Sequence, residues 1–196
     1  MTTSTDPLSP VVEALGRGEV VLVVTDTVVG LAARPDRPEA IRALYELKGR
    51  PAGLALPVLC AHRDQAAALA RPWTPLAEHL AERAWPGGLT LVVNADAALA
   101  AAVGSGDASV GLRVPAQPPL LALLERTGPL AATSCNRHGD PPAADLAEAR
   151  LVFGTSLAAL DGPRPSGLAS TVVDARGEVP TLLRRGAISW DELSSP

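Results

Sequence analysis

Lysine occurs once in this 196-residue chain, at Lys48, although seventeen positions are Lys or Arg. Arginine therefore supplies the generic positive charge. A position that keeps an ammonium points to a use for a compact, rotatable point charge where a planar fork would not serve. Aromatic residues make up only 3%, so the core must be assembled from Val, Leu and Ala, and an apolar content of 47% suffices for that. The two cysteines, Cys60 and Cys135, stand at no metal-ligand spacing and make no disulfide framework, which suits a reducing, cytoplasmic setting. An excess of positive charge is also missing. The net charge of −4 disfavours stable tRNA or DNA binding and leaves room only for local contacts of that kind. No apolar run approaches the length of a membrane span. Residues 1–10, rich in Thr, Ser and Pro, lack the basic-then-apolar order of a signal peptide. A flexible N-terminus over 1–9 and a single domain over 10–193 are expected, since one α/β unit routinely has this length.

Local patterning supplies the elements. Residues 10–15 predict a short helix stopped by Gly16 and Gly18, and 20–24 a buried strand, being a continuous apolar and mostly β-branched run. Thr25, Asp26 and Thr27 follow directly. Polar residues at the end of a buried strand are where α/β sheets place ligand contacts, yet the same residues also form turns and helix caps. Pro38 opens a helix that aligns Ile41, Leu44, Tyr45 and Lys48 on one face, at whose rim Lys48 stands. In the last turn before Gly49, Lys48 complements the helix dipole; one residue from Arg50, it also makes a pair able to hold a polyphosphate.

Residues 55–60, 89–93, 109–115, 129–133, 170–174 and 180–184 read as strands. Residues 63–70, 75–84 with Thr74 as cap, 118–126 and 145–150 read as helices. Residues 97–106 read as a mobile connection and 160–167 as a Pro/Gly loop. Alternation along 109–115 turns Ser109, Gly111 and Arg113 to one face, a floor with room for an anion. Asparagine occurs only at Asn94 and Asn136, and the second falls beside Ser134 in a polar loop, as an Asx turn or a ligand contact. His62 and His79 have no second ligand at metal spacing and read as helix-surface residues. His138 has only Cys135 as a neighbouring nucleophile. No metal site is expected. Strands alternating with helices imply one α/β domain, an open twisted mixed β-sheet flanked by helices.

Seven segments occur in an order and wording that resembles the YrdC family, the threonylcarbamoyl-AMP synthases, from about residue 11 to 193. They are Thr-Asp-Thr-Val-Val-Gly-Leu from Thr25, Lys48-Gly49-Arg50-Pro51, Trp85-Pro86-Gly87-Gly88-Leu89-Thr90, Gly111 to Pro115, Ser134-Cys135-Asn136, Ser170 to Asp174, and Arg184-Arg185-Gly186. Seven in order are far more specific than any one. The resemblance implies a YrdC-like fold and a reaction in which L-threonine, bicarbonate and ATP give threonylcarbamoyl-AMP and pyrophosphate, toward N6-threonylcarbamoyladenosine in tRNA. It implies that Thr27, Arg113, Ala132 and Ser170 line the threonine pocket. Lys48, Arg50, Ser109, Ser134, Asn136, Pro142 and Arg184 would hold ATP, with Mg²⁺ on the phosphates and Lys48 and Arg50 as the catalytic cations. Partner contact with downstream tRNA threonylcarbamoyltransferase proteins would be transient. Adenylate formation is chiefly positioning and charge neutralisation, so no side-chain nucleophile is required. The chain resembles the short form of the family, without an appended C-terminal domain.

Some positions depart from the family's wording. Leu54 stands where a second Lys or an Asn is common, Val29 where Tyr is usual, Val24 where Pro is usual, Cys135 where Ala is usual and His138 where a small Ser is common. Related domains open two other readings. One is a nucleotide- or RNA-binding module, against which the acidic balance argues; the other is a paralogue, either catalytically idle with a nucleotide-sized pocket, for which Leu54 is the support, or acting on a different amine or carbamoyl acceptor, which the altered flanks together would fit.

Overall fold

A computed structural model of the protein describes residues 6–49, 51 and 53–194. The chain runs through α1 (Ser9–Gly16), β1 (Val21–Val24), β2 (Val29–Ala33), α2 (Pro38–Lys48), β3 (Val58–Leu59), α3 (Arg63–Ala67), α4 (Pro75–Ala84) and β4 (Leu89–Asn94). It continues through α5 (Ala97–Ala102), β5 (Ser109–Arg113), α6 (Pro118–Thr127), β6 (Leu130–Ser134), α7 (Leu146–Phe153), β7 (Ala159–Leu160), β8 (Thr171–Asp174), β9 (Thr181–Arg184) and α8 (Trp190–Ser194). The strands make one sheet in the order β7-β1-β2-β6-β3-β5-β4-β8-β9. It is mixed: β1–β7, β3–β5 and β4–β8 pair parallel, and the other neighbours antiparallel. The α/β class with an open mixed sheet flanked by helices is the one expected.

Caps and breakers set the helix ends. Thr74 Oγ1 accepts from Ala77 N at 3.0 Å and starts α4, and Asp145 Oδ1 accepts from Glu148 N at 2.9 Å and starts α7. Gly49, at φ 63°, closes α2 in the left-handed region that glycine occupies without steric cost.

Strand alternation divides the core into two layers. Leu22, Leu31, Val58, Leu91, Leu112, Ala131 and Val173 point to one face, where residues of α2, α3, α4, α7 and α8 cover the whole width of the sheet. Val21, Val23, Ala32, Leu59, Leu130 and Ala132 point to the other, where only α1 and α6 lie, through Val11, Leu15, Leu120, Leu123 and Leu124. Those two helices cover only the β7-to-β3 part of that face. Over β5, β4 and β8 the second face carries no helix, and side chains there are small or polar. This half-covered face is what creates a cleft.

Three expectations differ from the structure, and one strand was not expected at all. Residues 97–106 contain α5, because Asp96 precedes a run of alanines, the best helix formers, and Val103 just beyond packs under β5. Beyond the Thr25–Thr27 turn, for which no element was expected, β2 forms: Val29 to Ala32 pair with Val24 back to Val21 in a hairpin. Residues 55–60 shrink to β3, because Leu56 N donates to Val103 O at 2.8 Å and Pro57 has no N–H for a ladder. The 160–167 loop begins as the edge strand β7, seated on β1. At the N-terminus, Asp6 is ion-paired with Arg126 and also accepts from Leu8 N; residues 1–5 lie outside the described ones. Among the described residues no helix is long and apolar enough to cross a membrane.

Candidate active site

The uncovered half of the sheet floors a cavity of about 320 Å³. Alternation selects its floor: Ser109, Gly111 and Arg113 of β5 and Thr90 and Val92 of β4 face it, while Val110, Leu112, Leu89 and Leu91 face the opposite core. Its walls are Thr25 and Thr27 from the β1–β2 turn, Ala132 and Ser134 at the end of β6, Pro142, residues 55–57, and Ala169, Ser170 and Arg184.

The β1–β2 turn is organised by one hydroxyl. Thr25 Oγ1 donates to Val28 O at 2.7 Å and accepts from the N–H groups of Thr27 and Val28, each at 3.1 Å. Thr27 Oγ1 lies 3.0 Å from it and accepts from Arg113 Nη1 at 2.7 Å. The Arg113 guanidinium further donates Nη2 to Asp26 Oδ1 at 2.7 Å and Nε to Gly87 O at 2.9 Å. Arg113 is 5% exposed, so three protein acceptors hold a buried fork in one orientation. Burial pushes its pKa down from the ordinary arginine value, Asp26 acts in the opposite direction, and Arg184 adds repulsion. Arginine nevertheless stays charged, and two guanidinium groups lining one cavity favour an anionic ligand.

Arg184, at the mouth, donates Nε and Nη2 to Ser170 O at 3.1 and 2.9 Å, and Nη2 to Ser170 Oγ at 3.0 Å. Ser170 Oγ shares a 2.8 Å hydrogen bond with Thr90 Oγ1, both buried. The loop before Ser170 is strapped over the β1–β2 turn, with Ser166 N donating to Asp26 O at 3.0 Å and Gly167 N to Thr27 O at 2.8 Å. At the far rim, Asp107 accepts from Ser109, Ser105 and Arg176, and these partners hold its carboxyl down at about 2.

Of the residues implied by the sequence, Thr27, Arg113, Ala132, Ser170, Ser109, Ser134, Pro142 and Arg184 all line this one cavity. Lys48 and Asn136 stand behind Ser134: Lys48 is 3% exposed, and its Nζ reaches Ser134 O and Asn136 Oδ1, each at 2.7 Å. Arg50 lies outside the described residues. Asp26 was read only as one of three polar residues at a strand end and Thr90 only within a family segment; the ion pair of the one and the floor position of the other were not singled out. Thr90 was findable, because it alternates with Leu89, Leu91 and Val93 and must face away from them. Asp26 was not, because its partner Arg113 is 87 positions away.

Burial pushes the thiols of Cys60 and Cys135 up to about 12, for Cys135 against the charge of Lys48. Both stay protonated, and neither is a nucleophile. His138 is exposed, and its backbone N–H donates to Lys48 O. His62 caps α3 through Nδ1, and His79 is exposed.

A mixed α/β sheet with a cleft built from fixed guanidinium groups and hydroxyls defines the class: a domain whose cavity suits a small anionic ligand. The kinship is more specific. Residues 13–186 match the sequence profile of the Sua5/YciO/YrdC family, described as telomere recombination, and the chain belongs to that family.

A Mycobacterium tuberculosis protein, provisionally named a threonylcarbamoyl-AMP synthase, is 35% identical over 93% of this chain and 85% of its own length. The Bacillus subtilis threonylcarbamoyl-AMP synthase is 34% identical over the whole chain, which spans 58% of that protein. The crystal structure of Pyrococcus abyssi Sua5 complexed with L-threonine superposes with a TM-score of 0.89 at 32% identity, covering 95% of this chain and 56% of that one. Escherichia coli YciO shares the fold, with a TM-score of 0.85 at 20% identity.

Proposed function

We infer that this protein is a threonylcarbamoyl-AMP synthase, condensing L-threonine, bicarbonate and ATP to threonylcarbamoyl-AMP with release of pyrophosphate and water. The observation that carries the reading is the buried Arg113, aimed by Asp26, Thr27 and Gly87 into the same cavity that Arg184 and Ser134 line. It gains support from the L-threonine complex of the Pyrococcus relative. Thr27, Arg113, Ala132 and Ser170 form the wall for threonine, whose carboxylate suits a fixed guanidinium. Ser109, Ser134, Pro142 and Arg184 form the wall for the nucleotide, with Asn136 and Lys48 behind Ser134; Arg50, two positions after Lys48 in the sequence, is assigned to the same ligand.

The chemistry asks for orientation and neutralisation. A carbamate oxygen must meet the α-phosphorus in line while charge builds on the leaving pyrophosphate, and fixed cations lining the cleft favour that charge without reorganising. Among the described residues no group of three or more His, Cys, Asp or Glu could hold a metal. Mg²⁺ would come with the substrate, carried on the phosphate oxygens of MgATP. The product is a reactive mixed anhydride, so a tRNA threonylcarbamoyltransferase would take it in a transient encounter. The buried thiols suit a cytoplasmic setting.

The test is incubation with ATP, Mg²⁺, bicarbonate and each amino acid in turn, with pyrophosphate release measured. Release dependent on both threonine and bicarbonate is expected. Release that ignores threonine, or that follows a different amino acid, overturns the reading.

A further inference from the structure

The one lysine is engaged by the protein itself. An ammonium has three N–H donors and no acceptor, and four protein oxygens surround Lys48 Nζ: Ser134 O at 2.7 Å, Asn136 Oδ1 at 2.7 Å, Asn136 O at 3.1 Å and Ser134 Oγ at 3.2 Å. Three donors face four acceptors, so a phosphate oxygen could be met only by giving one of these up. The acceptors belong to one loop, which leaves β6 and turns back toward α7. The loop is tied to the end of α2 a second time, where His138 N donates to Lys48 O at 2.8 Å.

Within the loop each group is assigned. Ser134 Oγ donates to Asn136 Oδ1 at 2.6 Å, and Asn136 Nδ2 donates to Arg137 O at 2.8 Å and Asp140 O at 2.7 Å. Asn136 thus turns its oxygen to Lys48 and its nitrogen to the loop backbone, and lines no part of the cavity; Ser134 does. A planar arginine fork cannot bring four oxygens around one nitrogen, which accounts for a lysine at this place in a chain otherwise built with arginine.

We propose that Lys48 is a positioning residue that acts on the nucleotide through Ser134 and Asn136, setting the geometry of the β6–α7 loop instead of ligating a phosphate. The proposal deepens the synthase reading and rests on it for the identity of the ligand.

A double-mutant cycle separates acting through the loop from acting beside it. Lys48→Met keeps the length of the side chain and removes the ammonium. ATP affinity is read by calorimetry, and KM and kcat by pyrophosphate release, for wild type, Lys48→Met, Ser134→Ala and the double variant. Lys48→Met is expected to weaken ATP about tenfold, the equivalent of one hydrogen bond. The double variant is expected to lose no more than Lys48→Met alone, and the change should sit in KM for ATP with the threonine KM unmoved. Additive losses, or no loss in Lys48→Met, overturn the proposal.

Should Lys48→Met fail to fold, Asn136→Ala decides instead. Loop positioning requires weaker ATP binding, whereas a Lys48 released to meet a phosphate would leave it unchanged or tighter, which overturns the proposal. Hydrogen exchange provides a readout independent of catalysis: the Asn136, His138 and Ala143 amides should exchange faster in Lys48→Met, and unchanged exchange refutes positioning whatever the activity. Wild type that binds ATP and shows this exchange response but releases no threonine-dependent pyrophosphate sinks the synthase reading alone.

Discussion

Removing the carboxylate of Asp26 tests the electrostatics of the cleft directly. The Arg113–Asp26 pair is closed at 2.7 Å, with the two side chains 6% and 19% exposed. Deleting one partner of a fully buried pair costs roughly 3–5 kcal/mol, because the survivor is left uncompensated, whereas an exposed pair is worth about 0–1 kcal/mol. Asp26 keeps some access to water, and Arg113 keeps Gly87 O and Thr27 Oγ1 as acceptors. Asp26→Ala should therefore lose about 2–3 kcal/mol. At about 2–4 °C per kcal/mol for a domain of this size, Tm should fall by roughly 5–10 °C. Asp26→Asn, which retains an acceptor oxygen without the charge, should lose about half as much. With the fork no longer held, KM for threonine should rise about tenfold. Asp26→Ala combined with Arg113→Met should recover part of the lost stability, because the stranded charge is gone, although activity is not restored. Thermal unfolding followed by circular dichroism and initial-rate measurements provide the readouts. An Asp26→Ala protein with Tm within 1 °C of wild type and an unchanged threonine KM would refute the reasoning.

Other perturbations probe other parts of the cleft. Leu54 is 42% exposed beside the cavity-lining residues 55–57, so Leu54→Lys buries no charge. It should tighten ATP by about one to two factors of ten while leaving threonine unmoved, as one charge-assisted hydrogen bond of roughly 1.5–3 kcal/mol requires; unchanged calorimetry places the side chain away from the phosphates. Asp107 is held down at about 2 from an ordinary 3.8. Its contribution to stability is therefore complete above about pH 4 and lost as pH falls toward 2. Urea unfolding of Asp107→Asn should show a shallower acid dependence in that window, and a slope identical to wild type argues against the Ser105–Ser109–Arg176 contacts. A Cβ at Gly186 would collide with the backbone of Ala169 and Ser170. Gly186→Ala should thus cost at least ~2 kcal/mol and impair threonine use through Ser170; a Tm equal to wild type shows that this wall yields freely.

The sequence by itself determined what depends on short stretches of backbone. The Pro75 start and Thr74 cap of α4, the glycine that closes α2 and the alternation that places Ser109, Gly111 and Arg113 on one face all rest on interactions within a few residues. The ordered wording of seven segments named the family for the same reason, since each is a short local pattern. Tertiary structure decided the rest. Strand β7, two residues long, exists only because β1 offers it an edge, and the β4–β5 side of the cleft is open only because α1 and α6 cover the far part of that face. The partners of Lys48 lie 86 and 88 positions away, and Asp26 meets Arg113 across 87. Such pairings depend on the order in which the chain lays its strands into the sheet, and no window of the sequence carries that order. A scarce lysine could therefore be recognised as special from composition, but the loop oxygens that stand within 3 Å of its ammonium were brought there only by the fold.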